Sequence, residues 1–169
     1  MNYSDLKLKE PISDTPPELA DWMVKLAEIK PEHSILEPCA GKGNIIKAIL
    51  KFNLDPDLHY CELNKKNRES LMGYKGFLAD DFDLIHGYKY DRILMNPPLK
   101  HTQKFISRTF NLLNPGGRLV CLMHKICYDD IQFGIFLIDS HYKDAHLYSV
   151  NKYFAGHFGV NALVLVIDK

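Results

Sequence analysis

The chain alternates short runs of apolar residues with longer stretches in which apolar residues recur every three or four positions. Short apolar runs between turn residues are typical of buried strands, and the longer spacing is typical of amphipathic helices. Because the two kinds of segment alternate, they predict strand–helix units and a mainly parallel sheet. Five strands are predicted, at Ser34–Glu37, Leu58–Cys61, Gly76–Ala79, Asp91–Met95 and Arg118–Met123.

Helical periodicity predicts helices between these strands, so that both faces of the sheet are covered. The first helix is expected to open at Pro16, with Thr15 as its N-cap, and to end at Pro31. The turn at Asn114–Gly117 is expected to separate the fourth helix from the fifth strand. The further helices are predicted at Asn44–Phe52, Lys65–Met72, Thr102–Leu113 and Asp129–Asp139.

The end of the chain has a different pattern. His146–Val150 and Val160–Ile167 are extended runs with no helix predicted between them. Two such runs predict an antiparallel hairpin that closes an otherwise parallel sheet. The whole pattern therefore predicts an α/β fold with seven strands.

Composition agrees with one globular domain, since 46% of the 169 residues are hydrophobic and 25% are charged. We expect a single domain over residues 1–169, with a helical segment at 1–33 and a core at 34–169.

No apolar stretch approaches the ~18–20 residues of a membrane span, and the first residues lack the pattern of a secretory signal. The four cysteines form no CxxC pair, and the eight histidines lack metal-ligand spacing. These features predict a cytoplasmic protein with reduced thiols, no membrane contact and no metal site.

The charges sum to zero, with 21 basic and 21 acidic residues, which argues against a dedicated high-affinity binder of nucleic acid. The distribution is less even, because the stretch from Lys100 to Cys127 holds five Lys or Arg residues and no Asp or Glu. This stretch could bind phosphates, or it could be a solvated helix face followed by strand ends. The candidate substrate-binding residues are Lys100, His101 and Lys125.

A glycine-containing loop follows the first predicted strand and opens a helix. Glycines at such a turn let the backbone approach a ligand closely, although a simple strand-to-helix turn has the same pattern. The third glycine of a dinucleotide fingerprint would fall at Ile46, so nicotinamide binding is disfavoured. The candidate ligand-binding residues of this loop are Glu37, Pro38, Cys39, Ala40, Gly41 and Gly43.

An acidic residue follows the second strand. Glu62, with Leu63 after it, lies 25 positions beyond Glu37, and a carboxylate there can accept hydrogen bonds from both ribose hydroxyls of an adenosine. A solvated glutamate at a strand end is the alternative. Its position after a glycine loop favours the ribose role.

The fourth strand runs into Asn96-Pro97-Pro98-Leu99, the most distinctive motif of the chain. The two prolines fix φ and remove N–H donors, which stiffens the loop. A proline-rich turn after a buried strand is the structural alternative.

In this order the glycine loop and Asn96-Pro97-Pro98 resemble class I S-adenosylmethionine-dependent methyltransferases. The likeness is strongest to the branch that methylates exocyclic amines of nucleobases, of the type found in phages and mobile elements. It implies a Rossmann-like, mostly parallel sheet of seven strands with a reversed strand at its edge. S-adenosylmethionine is the implied cofactor.

The resemblance also implies roles for single residues. Thr15 would cover the methionine end of the cofactor, and Asp81 beside Phe82 would accept from its adenine amine, although Asp80 and Asp81 could form a plain loop. Asn96 would contact the cofactor and, with the backbone carbonyl of Pro97, accept from the target amine. Two such acceptors favour the pyramidal nitrogen whose lone pair can attack. Most of the rate would come from positioning and desolvation.

Leu99 departs from the family pattern, which has Tyr, Phe or Trp at this position. Aromatic stacking contributes roughly 1–3 kcal/mol per base, so a leucine would hold a base less well. The change favours a single-stranded or exposed target, an amide outside nucleic acid, or impaired catalysis. Another ring could replace the missing one, and the candidates are Phe82, Tyr153, Phe154 and Phe158.

The leading hypothesis is a methyltransferase that acts on an exocyclic amine, most of all adenine in DNA or RNA. The alternatives are methylation of a protein glutamine amide or a guanine amine, and a catalytically silent, cofactor-binding partner subunit. No target-recognition domain is predicted, because only about 14 residues separate Phe82 from Asn96. The expected partners are single-stranded or exposed nucleic acid and a protein that supplies target recognition.

Overall fold

The computed structural model of the chain describes residues 14–52, 55–128, 142, 144–150 and 162–169. Within these residues, seven strands form one sheet: β1 Ser34–Glu37, β2 Asp57–Cys61, β3 Phe77–Ala79, β4 Tyr90–Met95, β5 Leu113–His124, β6 Asp144–Ser149 and β7 Ala162–Asp168. The helices are α1 Pro17–Ala27, α2 Asn44–Phe52, α3 Lys65–Leu71, α4 Thr102–Leu112 and α5 Lys125–Tyr128. Single 3₁₀ turns lie at Phe82–Leu84 and Leu99–His101.

The strand order is β3-β2-β1-β4-β5-β7-β6, with β7 antiparallel to both of its neighbours and the remaining pairs parallel. The predicted α/β class, seven strands and C-terminal antiparallel hairpin are therefore confirmed. The expected edge position of the reversed strand is wrong, because β7 lies inside the sheet and β6 forms the edge. Burial explains the order: four successive residues of β7, Val164–Ile167, are buried, whereas β6 is mostly exposed.

Neighbouring strand residues pack into two separate cores, one on each face of the sheet. Ile35 of β1 packs with residues of α1 and α2, whereas Leu36 packs with Ile106 of α4. In β5, Val120 packs in the same core as Ile35, and Leu119 packs in the same core as Leu36. Because side chains alternate along a strand, the apolar runs bury both faces, and the prediction of helices on both faces is confirmed.

The first helix differs from its predicted limits at both ends. It begins at Pro17, and its N-cap is Pro16, which makes no side-chain capping bond, so Thr15 is not the cap. It ends at Ala27 rather than near Pro31, because Glu28 adopts the left-handed conformation with φ of 49°.

Two arginines from the sheet fix this helix end. Arg92 Nε donates to the Ala27 carbonyl at 2.6 Å, and Arg118 Nη1 donates to the Leu26 carbonyl at 3.0 Å. Cations at a helix C-terminus are favourable, since the last carbonyls have no partner within the helix.

The fifth strand begins earlier than predicted and includes the segment Asn114–Gly117. Leu113 pairs with Tyr90, and the backbones of Gly116 and Gly117 exchange hydrogen bonds with Lys169 at 2.7 and 3.0 Å. A Cβ at Gly117 would lie 2.8 Å from the Asn114 carbonyl oxygen. The register with β4 shifts across this segment, and Gly116 has φ of 77°, so the tight bend predicted at Asn114–Gly117 is present, although within the strand.

β1 and α2 have the predicted ends, and the other described element ends lie within two residues of the predicted ones. The helix predicted at Asp129–Asp139 and the start of the last strand at Val160 lie outside the described residues, as do Tyr153, Phe154 and Phe158. No helix of the described residues is long and apolar enough to cross a membrane.

Candidate active site

The carboxyl ends of the parallel strands form a groove of about 810 Å³. The register pairs Glu37 with Tyr60 and Met95 with Cys121, which brings the loops after β1, β2, β4 and β5 to one edge of the sheet. Ligands in open α/β sheets bind at this edge. A side cavity of about 20 Å³ lies beside the groove, and its lining includes Thr15, Glu37, Ala40 and Asn44.

Most of the predicted site residues line one of these two spaces. The groove is lined by Pro38, Cys39, Gly41, Glu62, Leu63, Asp81, Phe82, Asn96, Pro97, Pro98, Leu99, Lys100 and His101. Cys39, Gly41 and Asn96 line the side cavity as well. Gly43 and Lys125 line neither space.

The glycine loop makes a tight turn that is closed by a hydrogen bond within its own backbone. Gly41 and Gly43 have φ of 55° and 76°, and Gly43 N donates to the Ala40 carbonyl at 2.8 Å. A Cβ at Gly43 would lie 2.6 Å from a Leu71 methyl carbon. Gly43 therefore shapes the turn and its packing on α3, whereas Gly41 faces the groove.

Glu62 is buried and joins the glycine loop to the start of α3. Its Oε2 accepts from Gly41 N at 2.6 Å, and its Oε1 accepts from Asn64 N at 2.7 Å and Asn67 Nδ2 at 3.3 Å. Backbone and amide donors stabilise a carboxylate in this position. Leu63 follows it with 72% of its surface exposed at the groove.

Glu37 is only 1% exposed, and its Oε2 has no hydrogen-bond partner within the described residues. Burial raises the pKa of this carboxyl well above its usual value, and the charge of Glu62 raises it further, against a smaller opposing effect of the Ile46 backbone. A buried polar atom without a partner is costly, so its presence points to a ligand or a functional role.

Thr15 connects the segment before α1 to the end of the glycine loop and to the Asn96-Pro97-Pro98 motif. Its carbonyl accepts from Asn44 Nδ2 at 2.8 Å, and its Oγ1 accepts from Asn96 Nδ2 at 3.2 Å. Next to it, Asp14 forms an ion pair with Lys42 of the glycine loop at 2.6 Å. These contacts hold Asn96 in one orientation between the groove and the side cavity.

The Asn96-Pro97-Pro98-Leu99 loop leaves β4 and turns directly into a helix. Leu99 opens the 3₁₀ turn, in which His101 N donates to the Pro98 carbonyl at 2.8 Å, and Thr102 Oγ1 donates to the Leu99 carbonyl at 3.1 Å. The two prolines and these bonds give the loop one backbone conformation.

The loop after β3 supplies another wall of the groove. Asp81 Oδ1 accepts from Asp83 N at 2.8 Å and caps the 3₁₀ turn that begins at Phe82. The Phe82 ring stacks on Phe105 of α4 with 5.1 Å between ring centroids. Phe105 also borders the groove, which the sequence does not reveal, because helical spacing does not separate a ring that covers the core from one that also borders a groove.

Further groove residues were missed by sequence reasoning: Asn67, Asp80, Asp83, Thr102, Lys104, Leu122, Met123 and His124. Asn67 carried a usable signal, since the first turn of a helix that follows an acidic strand end lies over that end. Leu122 and Met123 carried another, because they end the predicted fifth strand at the same edge, and His124 follows them directly.

The basic stretch is less basic in three dimensions than in sequence. Lys104 and Arg108 pair with Asp83, and Arg118 pairs with Glu28 and Asp168 at the far end of the sheet. Three of the five cations are thus neutralised locally. Lys100 and His101 are exposed at the groove, so a phosphate-binding role stays a hypothesis for them and has less support for Lys125.

No protein-family model and no curated protein matches the chain. Solved structures do match it. TrmN from Thermus thermophilus is 25% identical, with a TM-score of 0.67 over 90% of this chain and 48% of its own. The type I restriction enzyme EcoKI M protein is 17% identical, with a TM-score of 0.69 over 96% of this chain and 45% of its own.

A third match is an RNA methyltransferase from Salinibacter ruber, solved in complex with S-adenosyl-L-homocysteine. It is 13% identical, with a TM-score of 0.67 over 92% of both chains. The chain has the class I methyltransferase fold. It spans about half the length of TrmN and of the EcoKI M protein, and nearly the full length of the Salinibacter methyltransferase.

The methyltransferase fold accounts for the position of the groove. Its sheet presents the glycine loop, Glu62 and Asn96 at one edge, although they are far apart in the sequence. Within the described residues, no group of three or more His, Cys, Asp or Glu side chains is arranged to hold a metal ion.

Proposed function

We propose that the chain is an S-adenosylmethionine-dependent methyltransferase that acts on an exocyclic amino group, most of all that of adenine in DNA or RNA. The observation that carries the proposal is the position of Asn96-Pro97-Pro98. The motif lines the groove beside the glycine loop and Glu62, and Asn96 also borders the side cavity. A motif that offers carbonyl acceptors to an amine is thus adjacent to residues suited to a nucleoside.

The groove residues fit the adenosine part of this cofactor. A groove of about 810 Å³ is large enough for a cofactor-sized molecule. The Glu62 carboxylate has further lone pairs with which to accept from ribose hydroxyls, and Leu63 offers an exposed apolar surface beside them. Asp81 and Phe82 border the same groove, where they would receive the adenine ring and its amine.

The side cavity, at about 20 Å³, fits one small polar group such as the α-amine of the methionine end. The unpartnered Oε2 of Glu37 is a buried acceptor, and a protonated α-amine is the kind of group that would satisfy it. Binding a cation would also favour the ionised carboxylate and offset the raised pKa of Glu37. Thr15 lies at the same cavity, consistent with its predicted role over the methionine end.

The chain itself would act by positioning. The Asn96 side-chain carbonyl and the Pro97 backbone carbonyl would accept the two N–H groups of the target amine, and the stiff proline loop would keep both acceptors in place. When bound, S-adenosylmethionine supplies a methyl group whose bond to sulfur breaks as the N–C bond forms, yielding S-adenosylhomocysteine and a proton released from nitrogen.

Leu99 supports a second candidate, methylation of a protein glutamine amide. It lies at the groove where an aromatic ring would stack on a base, and an aliphatic side chain suits a small planar amide equally well. The zero net charge of the chain also fits a protein substrate.

A partner that supplies target recognition remains part of the proposal. The EcoKI M protein, which is a component of a restriction enzyme, matches this chain over only 45% of its own length. The extra length of that protein supports the idea that a methyltransferase unit of this size works with further protein segments.

The experiment is methyl transfer from isotope-labelled S-adenosylmethionine to single-stranded DNA, to RNA and to total protein. Label on adenine amines supports the proposal, label on glutamine supports the second candidate, and absence of label from all three pools contradicts both for the isolated chain.

The variant Leu99→Phe separates the two candidates. A ring at this position should raise transfer to single-stranded DNA or RNA about tenfold, because base stacking contributes roughly 1–3 kcal/mol. Transfer to glutamine should not rise. The matched substitution Leu147→Phe, at an exposed leucine of the edge strand β6 that does not line the groove, should change neither rate.

A further inference from the structure

The wall of the groove formed by residues 80–85 has little regular structure of its own. It consists of a single 3₁₀ turn, Phe82–Leu84, between a three-residue edge strand and an exposed loop. Such a segment keeps one shape only if the rest of the fold holds it. Two arginines from two different helices make the contacts that do so.

Arg68 of α3 holds the beginning of this segment. It donates to the carbonyls of Glu62 and Leu63 at 3.0 and 2.6 Å, and it pairs with Asp80 at 3.4 Å. The loop after β2 and the loop after β3 are therefore joined through one guanidinium.

Arg108 of α4 holds the rest of the segment. Its Nη1 donates to Asp83 Oδ1, and its Nη2 donates to the Asp83 carbonyl at 2.8 Å and the Ile85 carbonyl at 3.2 Å. The Arg108 side chain is 24% exposed, so these bonds are partly shielded from water. Lys104, one turn earlier on the same helix, pairs with the other Asp83 oxygen at 2.6 Å.

The same guanidinium covers an aromatic ring. The Arg108 carbon Cζ lies 4.8 Å from the centroid of the Phe82 ring, and that ring stacks on Phe105 with an interplanar angle of 24°. Phe82 is thus held by Arg108 and by Phe105, and both rings border the groove. Phe82 is 4% exposed and Phe105 is half-buried, so the groove is bordered by the uncovered part of this stacked pair, which is in place before any ligand arrives.

We propose that Arg108 is a positioning residue that fixes Phe82 against Phe105, so that the groove presents a preformed surface to the adenine ring of the cofactor. This inference rests on the proposed function. Arg108 acts through Phe82 and Asp83 rather than by touching the ligand. A lysine would not replace it, because a single ammonium lacks the planar fork that reaches several oxygens and covers a ring.

The test is calorimetric titration of S-adenosylhomocysteine into the wild type, Arg108→Ala, Arg108→Lys and Lys89→Ala. Lys89 is the matched control, because it also binds α4, at the Asn111 carbonyl, but lies outside the groove. S-ribosylhomocysteine, which lacks the base, is titrated in parallel. Thermal unfolding of each variant without ligand reports on the fold.

We expect Arg108→Ala to bind S-adenosylhomocysteine about tenfold more weakly than the wild type, a loss of ~1.4 kcal/mol. Its affinity for S-ribosylhomocysteine should change by less than about twofold, because that ligand does not reach the aromatic surface. Arg108→Lys should recover only part of the loss, and Lys89→Ala should bind both ligands like the wild type.

Two results would overturn the inference while leaving the proposed function intact. One is wild-type affinity of Arg108→Ala for S-adenosylhomocysteine. The other is an equal loss for both ligands, which would mean that Arg108 supports the fold in general. Absence of S-adenosylhomocysteine binding by the wild type would instead remove the proposed function together with the inference.

Discussion

The two ends of the parallel strands satisfy their polar groups in opposite ways. At the amino end, Arg118 pairs with both Asp168 and Glu28, and Asp91 accepts from Ser34 and Asn114. At the carboxyl end, Glu37 is buried more deeply, with 1% of its surface exposed, and its Oε2 has no partner among the residues that the structure describes. The amino end is thus organised for stability, whereas the carboxyl end keeps an unsatisfied acceptor beside a groove.

The pKa values of Asp91 and Glu37 follow the same division. Hydrogen bonds, with that of the Asn114 side chain the largest contribution, lower the pKa of Asp91 at the amino end. Burial raises the pKa of Glu37 at the carboxyl end. A fold that maximised stability would not retain a carboxyl in that state, so the contrast supports a binding role for the carboxyl end.

The largest expected effect is on turnover. Asn96→Ala should reduce methyl transfer by about 10²–10³-fold, the usual cost of removing one positioned group that stabilises a transition state. Unfolding stability and affinity for S-adenosylhomocysteine should stay close to the wild type, and Asn111→Ala on the exposed side of α4 is the matched control. Single-turnover kinetics and calorimetry give the two readouts. Equal losses of affinity and turnover would remove Asn96 from its catalytic role.

The next largest expected effect is on the free energy of unfolding, through the ion pairs at the amino ends of the parallel strands. Arg118→Ala should lower the free energy of unfolding by about 2 kcal/mol, because it removes charge-assisted hydrogen bonds to Asp168 and to the end of α1. Urea unfolding measures this loss. Affinity for S-adenosylhomocysteine should not change. A stable variant with weakened ligand binding would contradict the division of roles between the two ends.

The smallest expected effect is on the pH dependence of stability. It tests whether the buried carboxyl of Glu37 lowers the free energy of unfolding. A carboxyl with a raised folded-state pKa contributes stability that is fully present below the unfolded pKa near 4.5 and is lost as the pH rises towards the folded value. Glu37→Gln should therefore be more stable than the wild type at pH 8 and equal to it near pH 4. Urea unfolding at several pH values measures the difference.

The same substitution should weaken S-adenosylhomocysteine binding, because an amide offers no negative charge to the α-amine. A variant that is more stable and binds less well would show that the carboxyl end exchanges stability for affinity. If Glu37→Gln proved less stable than the wild type at pH 8, the unsatisfied carboxyl would not be a cost.

Sequence reasoning predicted those features that depend on one segment at a time. The strand-end positions of Glu37, Glu62 and Asn96 followed from the chain pattern, and the parallel register brings them to one edge as expected. The lining by Phe105 and the ion pairs of Lys104 and Arg108 could not be predicted, because they depend on how α4 packs against the loop after β3.

Two errors had related causes. Thr15 was predicted as a helix cap from its position before two prolines, but its hydroxyl accepts a hydrogen bond from Asn96, 81 residues away. The reversed strand was expected at the sheet edge, but it lies inside the sheet, where the continuous apolar run of Val164–Ile167 is buried on both faces. Both outcomes depend on tertiary contacts that local pattern does not report.

The most direct measurement is a calorimetric titration of S-adenosylhomocysteine into the wild type and Glu62→Ala, with Glu69→Ala on the exposed side of α3 as the control. We predict one molecule bound per chain, and about 10- to 100-fold weaker binding by Glu62→Ala, since hydrogen bonds to a charged group contribute roughly 1.5–3 kcal/mol. Glu69→Ala should bind like the wild type. Absence of binding by the wild type, or unchanged affinity in Glu62→Ala, would contradict a cofactor site at the carboxyl end of the sheet.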